Sequence, residues 1–197
     1  RKSMSQNGEL RSRILEQARI LLLKEGYSAV SMRKIAKAVG CTPTSIYIYF
    51  DNKDALIHAL IEEGMEKLHG ALVAAVQEHV DPRQRFAGIC LAFLQFGIQN
   101  PAYYEIMFLL HPEKMKRYPT DKYRRARRNL ELFADTLREA RTDCSFDPML
   151  SATVLWSLLH GSISLLLAQR VDVGIPTAVF LDQVVAHASA MLFPTSS

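Results

Sequence analysis

Between residues 31 and 53 the chain reads SMRKIAKAVGCTPTSIYIYFDNK. Its side chains suit contact with phosphates and base edges better than the making or breaking of bonds. Thr44, Ser45, Tyr47 and Tyr49 put hydroxyls on one short stretch, and Arg33, Lys34, Lys37 and Lys53 flank it with positive charge. Hydroxyls and amines are the groups that meet sugar–phosphate oxygens, while short polar and apolar tips reach base edges in a groove. Nothing comparable points to catalysis. There is no nucleophile elbow, phosphate-cradling glycine loop, dinucleotide fingerprint or metal motif. Histidines 58, 69, 79, 111, 160 and 187 are scattered, and cysteines 41, 90 and 144 share no ligand spacing with them. The expectation is a chain that is not an enzyme and needs no metal or cofactor.

Two short helices and the start of a third must carry those groups. Ser31 is placed to cap the first, with Ile35, Ala36 and Val39 forming its apolar face. Gly40 suits the left-handed residue that ends a helix. Thr42 is a second N-cap, followed by Pro43 at the first helical position, where a missing N–H costs nothing. Ile46 and Phe50, four apart, face inward. Asp51 and Asp54 have the spacing of a capping box for the next helix. Helix, tight turn, short helix is the helix-turn-helix layout that enters the major groove. The plainer alternative is a surface helical hairpin in an unrelated all-α protein.

The run Ile35-Ala36, Gly40, Thr42, Ile46-Tyr47-x-Tyr49-Phe50, Lys53 and Leu56 resembles the DNA-binding domain of the TetR family of bacterial regulators. Upstream, ILEQARILLLKEGYSAVS is similar to that family's first helix. The likeness covers about residues 10–57. It departs early in the recognition helix, where the family often has small residues or glycines and this chain has Pro43 and Thr44. The resemblance implies base contacts from Arg33, Thr44, Ser45 and Tyr47. It implies phosphate contacts from Ser31, Thr42, Tyr49 and Lys53, with Pro43 on the same surface.

Charge divides as that reading requires. Of 197 residues carrying a net +4, residues 1–55 hold ten Lys/Arg against five Asp/Glu, and residues 56–197 hold fourteen against fifteen. One segment is built to neutralise phosphates and the other is not. This gives an expected helix-turn-helix DNA-binding domain at 1–55 and a helical regulatory domain at 56–197. The odd cysteine count fits a reducing compartment, hence the cytoplasm. Cys41 lies in the helix-turn-helix turn, where a redox role competes with that of a small buried residue. The N-terminal RKSMSQNGEL lacks the apolar run of a signal peptide.

Downstream, helical periodicity continues without strand-like alternation, giving an all-α fold of about nine helices. A first helix at 9–25 follows a polar residue 1–8 stretch. The fourth runs over about 52–79, the fifth over 82–99, a short sixth over AYYEIMFLL, the seventh over 120–141, the eighth over 148–169 and the ninth over 176–192. Asp81-Pro82, Asn100-Pro101, His111-Pro112 and Asp147-Pro148 mark the breaks. Residues 149–169 contain no Asp, Glu, Lys or Arg, which is long enough to raise a membrane span. His160, Thr153, Gln169 and four serines argue against it. Helices 8 and 9, the latter including Val185, have wider apolar faces than half a chain can cover. They are therefore expected to join two copies into a homodimer through a four-helix bundle.

An apolar ligand site is expected in the same half. Phe86, Phe93, Phe96, Tyr103, Tyr104, Met107, Phe108, Trp156 and His160 supply aromatic walls with a few polar tips, and plain hydrophobic core explains the same pattern. The motif Trp156-x-x-x-His160-Gly161, with PAYYEIMF, resembles one branch of TetR-like regulators. By packing alone, Gly161 permits a close helix approach and His160 suits a core. The run KMKRYPTDKYRRARR at 114–128 has eight Lys/Arg against Asp121, which reads most simply as a solvated face, with an acidic ligand, DNA or a partner as the alternatives. The reading that joins these features is a homodimeric transcriptional regulator bound to double-stranded operator DNA, most simply a repressor released by an unidentified small-molecule effector, with no membrane. The runner-up is a small-molecule-binding or interaction protein that no longer binds an operator.

Overall fold

The computed structural model describes residues 2–110, 120–141 and 146–193, with side chains from residue 8 and, within the seventh helix, from 127. Among the described residues there are nine α-helices and no strand: α1 Lys2–Glu25, α2 Met32–Val39, α3 Pro43–Tyr47, α4 Lys53–Gln77, α5 Pro82–Gln99, α6 Pro101–Tyr104, α7 Thr120–Ala140, α8 Pro148–Leu167 and α9 Thr177–Leu192. A π-helical turn, Glu105–Leu109, follows α6. Cys144, His111 and most of the basic run at 114–128 lie outside what the side chains describe. The all-α expectation is the fold observed.

The chain divides into two compact units, residues 1–64 with 102–119 and residues 65–101 with 120–197. In the first, α1 packs on α2 and α2 on α3. Ile14, Ala18, Leu22, Ile35, Val39, Ile46, Leu56 and Leu60 are buried there. The inward stripe of α1 keeps the three- and four-residue spacing that its sequence shows. In the second unit, α5 is the central helix, packed by α7, α8 and α9. Gly97 makes one of those contacts possible. A Cβ there would stand 2.7 Å from Ile163 Cδ1, so α8 approaches α5 against bare backbone.

Several ends differ from expectation for local reasons. Helix α1 begins at Lys2, ahead of the start expected at residue 9, because polar residues hold a helix without contributing to its periodicity. Helix α4 is capped by Asn52, whose Oδ1 accepts from the Ala55 N–H at 2.9 Å, so the Asp51–Asp54 box does not form. Helix α8 stops at Leu167. Gln169 takes φ +53°, and the Arg170 N–H bonds back to the Leu165 carbonyl at 2.8 Å. That is a Schellman stop without the glycine that would announce it.

Candidate functional site

In the first unit, side chains of α2 and α3 sort cleanly into those that hold the motif and those left outward. Ser31 Oγ accepts from the Lys34 N–H at 3.3 Å. Thr42 Oγ1 accepts from the Ser45 N–H at 3.2 Å and shares a 2.9 Å hydrogen bond with Ser45 Oγ. Gly40 turns the chain at φ +78° and returns its N–H to the Ala36 carbonyl. Met32, Ile35, Ala36, Val39 and Ile46 are buried. The opposite face shows Arg33, Lys37, Pro43, Thr44 and Tyr47 to solvent, while Tyr49 is half-buried.

The caps leave donors over. A hydroxyl has one proton and two acceptor lone pairs. Ser31 uses a lone pair for its cap and keeps a proton for an outside acceptor. Thr42 and Ser45 have two protons between them, of which one closes their mutual bond and one remains. Phosphate oxygens accept and never donate, so these are the protons that could meet a DNA backbone.

Lys53 behaves otherwise than its neighbours. Its ammonium donates to the carbonyls of Tyr27 at 2.9 Å and Val30 at 3.2 Å, and it lies 3.7 Å from the Tyr27 ring centroid. Tyr27 in turn donates its hydroxyl to Asp54. Burial, and then the Asp54 carboxylate, push the Tyr27 pKa up to about 12. Lys53 thus latches the turn between α1 and α2 to the start of α4. Arg13 performs a similar task from α1, donating to the Val39 carbonyl at 2.6 Å, at the end of α2 where a cation is favoured. Lys34 pairs with Glu25. Arg33 and Lys37, exposed and in no ion pair among the described residues, are the cations left facing outward on α2.

The nine residues expected at a ligand site are divided between the two units, and Phe86 of the second is fully buried edge-to-face against Phe193. Tyr103, Tyr104, Met107 and Phe108 belong to the first unit. There Tyr103 donates to Glu63 at 2.7 Å and takes the Arg19 guanidinium over its ring at 4.8 Å. Burial, then the Glu63 contact, raise its pKa to about 12. Tyr104 is fully buried and meets Phe108 at a tilt of 56°, ring centroids 5.1 Å apart. Phe96, in the second unit, lines a recess of about 520 Å³ with Ala71, Ala75 and Leu91. Phe93, Trp156 and His160 do come together: Phe93 lies 4.6 Å from Trp156 and 5.2 Å from His160, and Phe133, which periodicity did not single out, lies 5.4 Å from Trp156. Burial holds His160 down to a pKa of about 4, so the imidazole is neutral and acts as one more ring with a polar edge.

Residues 14–60 match the family described as "Bacterial regulatory proteins, tetR family", and residues 86–188 match "Tetracyclin repressor-like, C-terminal domain". The second match alone spans more than half of the 197 residues. The chain belongs to the TetR family. An uncharacterised HTH-type transcriptional regulator of Mycobacterium tuberculosis is 30% identical over 90 residues, which are 46% of this chain and 45% of that protein. The chain thus spans about half the length of that relative. The HTH-type transcriptional repressor KstR2 of Mycolicibacterium smegmatis is 20% identical over 158 residues, 79% of this chain and 77% of that one. A bacterial regulatory protein of the tetR family from Rhodococcus RHA1 has the same fold, with a TM-score of 0.74 at 20% identity over 93% of this chain and 96% of that chain.

For a TetR-family chain, two features of this one were not visible in its sequence pattern. One is the inward latch of Lys53, since a lysine at a helix start reads equally as solvent-facing. The other is Ile48, which is 75% exposed at the end of α3. Its position between two tyrosines is what a buried β-branched residue would also occupy.

Proposed function

We propose that this protein is a sequence-specific DNA-binding transcriptional regulator, a homodimeric cytoplasmic repressor released from its operator by a small apolar ligand. Residues 1–55 are its DNA-binding domain and residues 56–197 its regulatory domain. The observation that carries the reading is the division of α2 and α3. Every buried side chain serves the fold, and Arg33, Lys37, Thr44, Tyr47 and the spare hydroxyl protons face out. Two copies would set their recognition helices into successive major grooves of a near-palindromic site. The test is binding of the purified protein to duplexes from its own promoter region at two salt concentrations. Affinity that is tight for one sequence and falls with salt is expected. Binding equal for all sequences, or none, would defeat it.

The dimer reading rests on α8. Leu150, Val154, Leu158 and Leu165 form one stripe, exposed by 62, 54, 38 and 48%, while Ala152, Leu155, Leu159 and Ile163 on the other side are buried. Gly161 stands within the exposed stripe, and a Cβ there would meet nothing within 4 Å. The packing role expected of it is therefore unfilled inside one chain and open to a second. Met191 and Leu192 of α9 complete a cleft of about 480 Å³ beside this stripe. Helix α8 is also long and apolar enough to cross a membrane, and a partner helix is the cover proposed here. Val185 is not part of it, since it lines a recess with His79, Ala87 and Asp182. Val154→Glu should give monomer in sedimentation, and Val185→Glu should leave the dimer.

We propose the effector site beside Phe93, Trp156 and His160, the expected residues that meet one another within the second unit. Trp156 is the one tryptophan of the chain, so its emission reports occupancy directly. Compounds that release the operator should change that emission over the same concentration range. An emission change in a protein that never binds duplex would favour the binding-protein reading instead.

A further inference from the structure

We infer that α3 reads thymine methyl groups, so that the operator half-site has A·T pairs beneath this helix and guanine only where the α2 cations Arg33 and Lys37 reach. The inference rests on the DNA-binding reading above. Its starting point is what α3 lacks. From Gly40 to Phe50 the chain is GCTPTSIYIYF, with no Arg, Lys, Asn, Gln, Asp or Glu. The side chains that read bases by paired hydrogen bonds, arginine or lysine on guanine and asparagine or glutamine on adenine, are therefore absent from the recognition helix.

What faces outward is uncharged, and apart from the Tyr47 phenol and the threonine hydroxyl it is apolar or methyl-bearing. Pro43, Thr44, Tyr47 and Ile48 are exposed, Tyr47 by 52% and Ile48 by 75%. Ser45 is half-buried and its hydroxyl is bonded to Thr42. An isoleucine with three-quarters of its surface in water contributes little to the fold it sits on. In the major groove the apolar feature that tells one base pair from another is the thymine C5-methyl. Pro43 to Ile48 spans about 7–8 Å of helix, on the order of two base-pair steps. Arg33 is the one guanidinium between Gly26 and Asn52, and it is exposed on α2. Its fork can meet guanine O6 and N7 together, and the exposed Lys37, in no ion pair among the described residues, is the other α2 cation that can donate to guanine.

The experiment selects binding sites for the full-length protein from random duplexes. It then measures affinity for the selected site with deoxyuridine in place of each thymidine, which removes the methyl and nothing else. Wild-type protein should lose about fourfold for each methyl that α3 covers, the factor for one buried methyl returned to water. In Ile48→Ala one of those losses should vanish, and in Thr44→Ser, which keeps the hydroxyl, another. The salt dependence should stay that of wild type in both, because no phosphate contact is touched. Ile48 is exposed, so its variant should melt with wild type. Tight sequence-specific binding that is indifferent to uracil at every position overturns the inference alone. So does a selected half-site of G·C pairs throughout. Absence of specific duplex binding overturns both it and the reading it rests on.

Discussion

Helix α3 and the Phe93–Trp156 cluster are built from similar side chains and use them in opposite ways. On α3 only Ile46 is buried. The helix is held by caps and by that one residue, so its threonine, tyrosine and isoleucine are free to meet something else. In the cluster Phe93 and Phe133 are 1% and 0% exposed and hold one another, with Trp156 and His160 closing the edge. A surface fixed by backbone caps can vary its side chains at little cost in stability. A core fixed by side chains cannot, so any ligand it accepts must fit what packing leaves. Substitution should therefore change binding in the first region and stability in the second.

The largest effect is expected at Phe93. Phe93→Ala empties the centre of the cluster and should destabilise the protein by about 3–5 kcal/mol in urea titration. A loss under about 1 kcal/mol would mean that the ring lines an open site and carries little packing.

Next comes the acid response of His160. Its folded pKa of about 4 lies below the ordinary 6.5. Above pH 6.5 neither folded nor unfolded chain binds a proton there. Between 6.5 and 4 the unfolded chain takes one that the folded chain refuses, so stability falls as pH falls through that window. The drop should reach about 2–3 kcal/mol. His160→Phe keeps a ring and removes the titration, so its stability should fall less than wild type between pH 7 and pH 4.5. Parallel curves would show that His160 titrates as an exposed histidine does.

The contrast also explains what could be read in advance. Ser31, Gly40, Thr42 and Pro43 act through backbone geometry within three or four residues of themselves, and such signals survive in sequence. So does the helical period that places Ile35, Ile46 and Leu56 inside. Period tells which face of a helix is apolar and not which neighbour it meets. Hence Phe93, Trp156 and His160 meet within the second unit, where Phe96, of the same type and spacing, lines a different recess, and Tyr103 is held in the first unit by Glu63. Val185 shows the same limit, apolar on α9 but facing His79 and Asp182. The end of α8 at Gln169 was hidden because its left-handed residue is not glycine.

A smaller effect separates latch from phosphate ligand at Lys53. Lys53→Met removes two charge-assisted hydrogen bonds and a ring contact while keeping much of the stem. It should cost about 2 kcal/mol of stability. A phosphate ligand would show unchanged melting, uniformly weaker binding to all duplexes and a salt slope lower by about one. The first outcome would make Lys53 a positioning residue for the recognition helix.

The smallest effect on stability, and the clearest on function, belongs to Arg33. It is exposed in the second position of α2 and joins no ion pair among the described residues, so Arg33→Ala should leave unfolding within about 0.5 kcal/mol of wild type. On the operator it should cost about 1–3 kcal/mol and relax the choice of base at one position per half-site. Lys37→Ala, also exposed on α2, should weaken operator and random duplex alike. The pair thus distinguishes a group that reads sequence from one that only meets charge, on one helix and with folding untouched. If Arg33→Ala behaves as Lys37→Ala does, α2 contributes position and no sequence, and base choice passes to the hydroxyl and methyl groups of α3 alone.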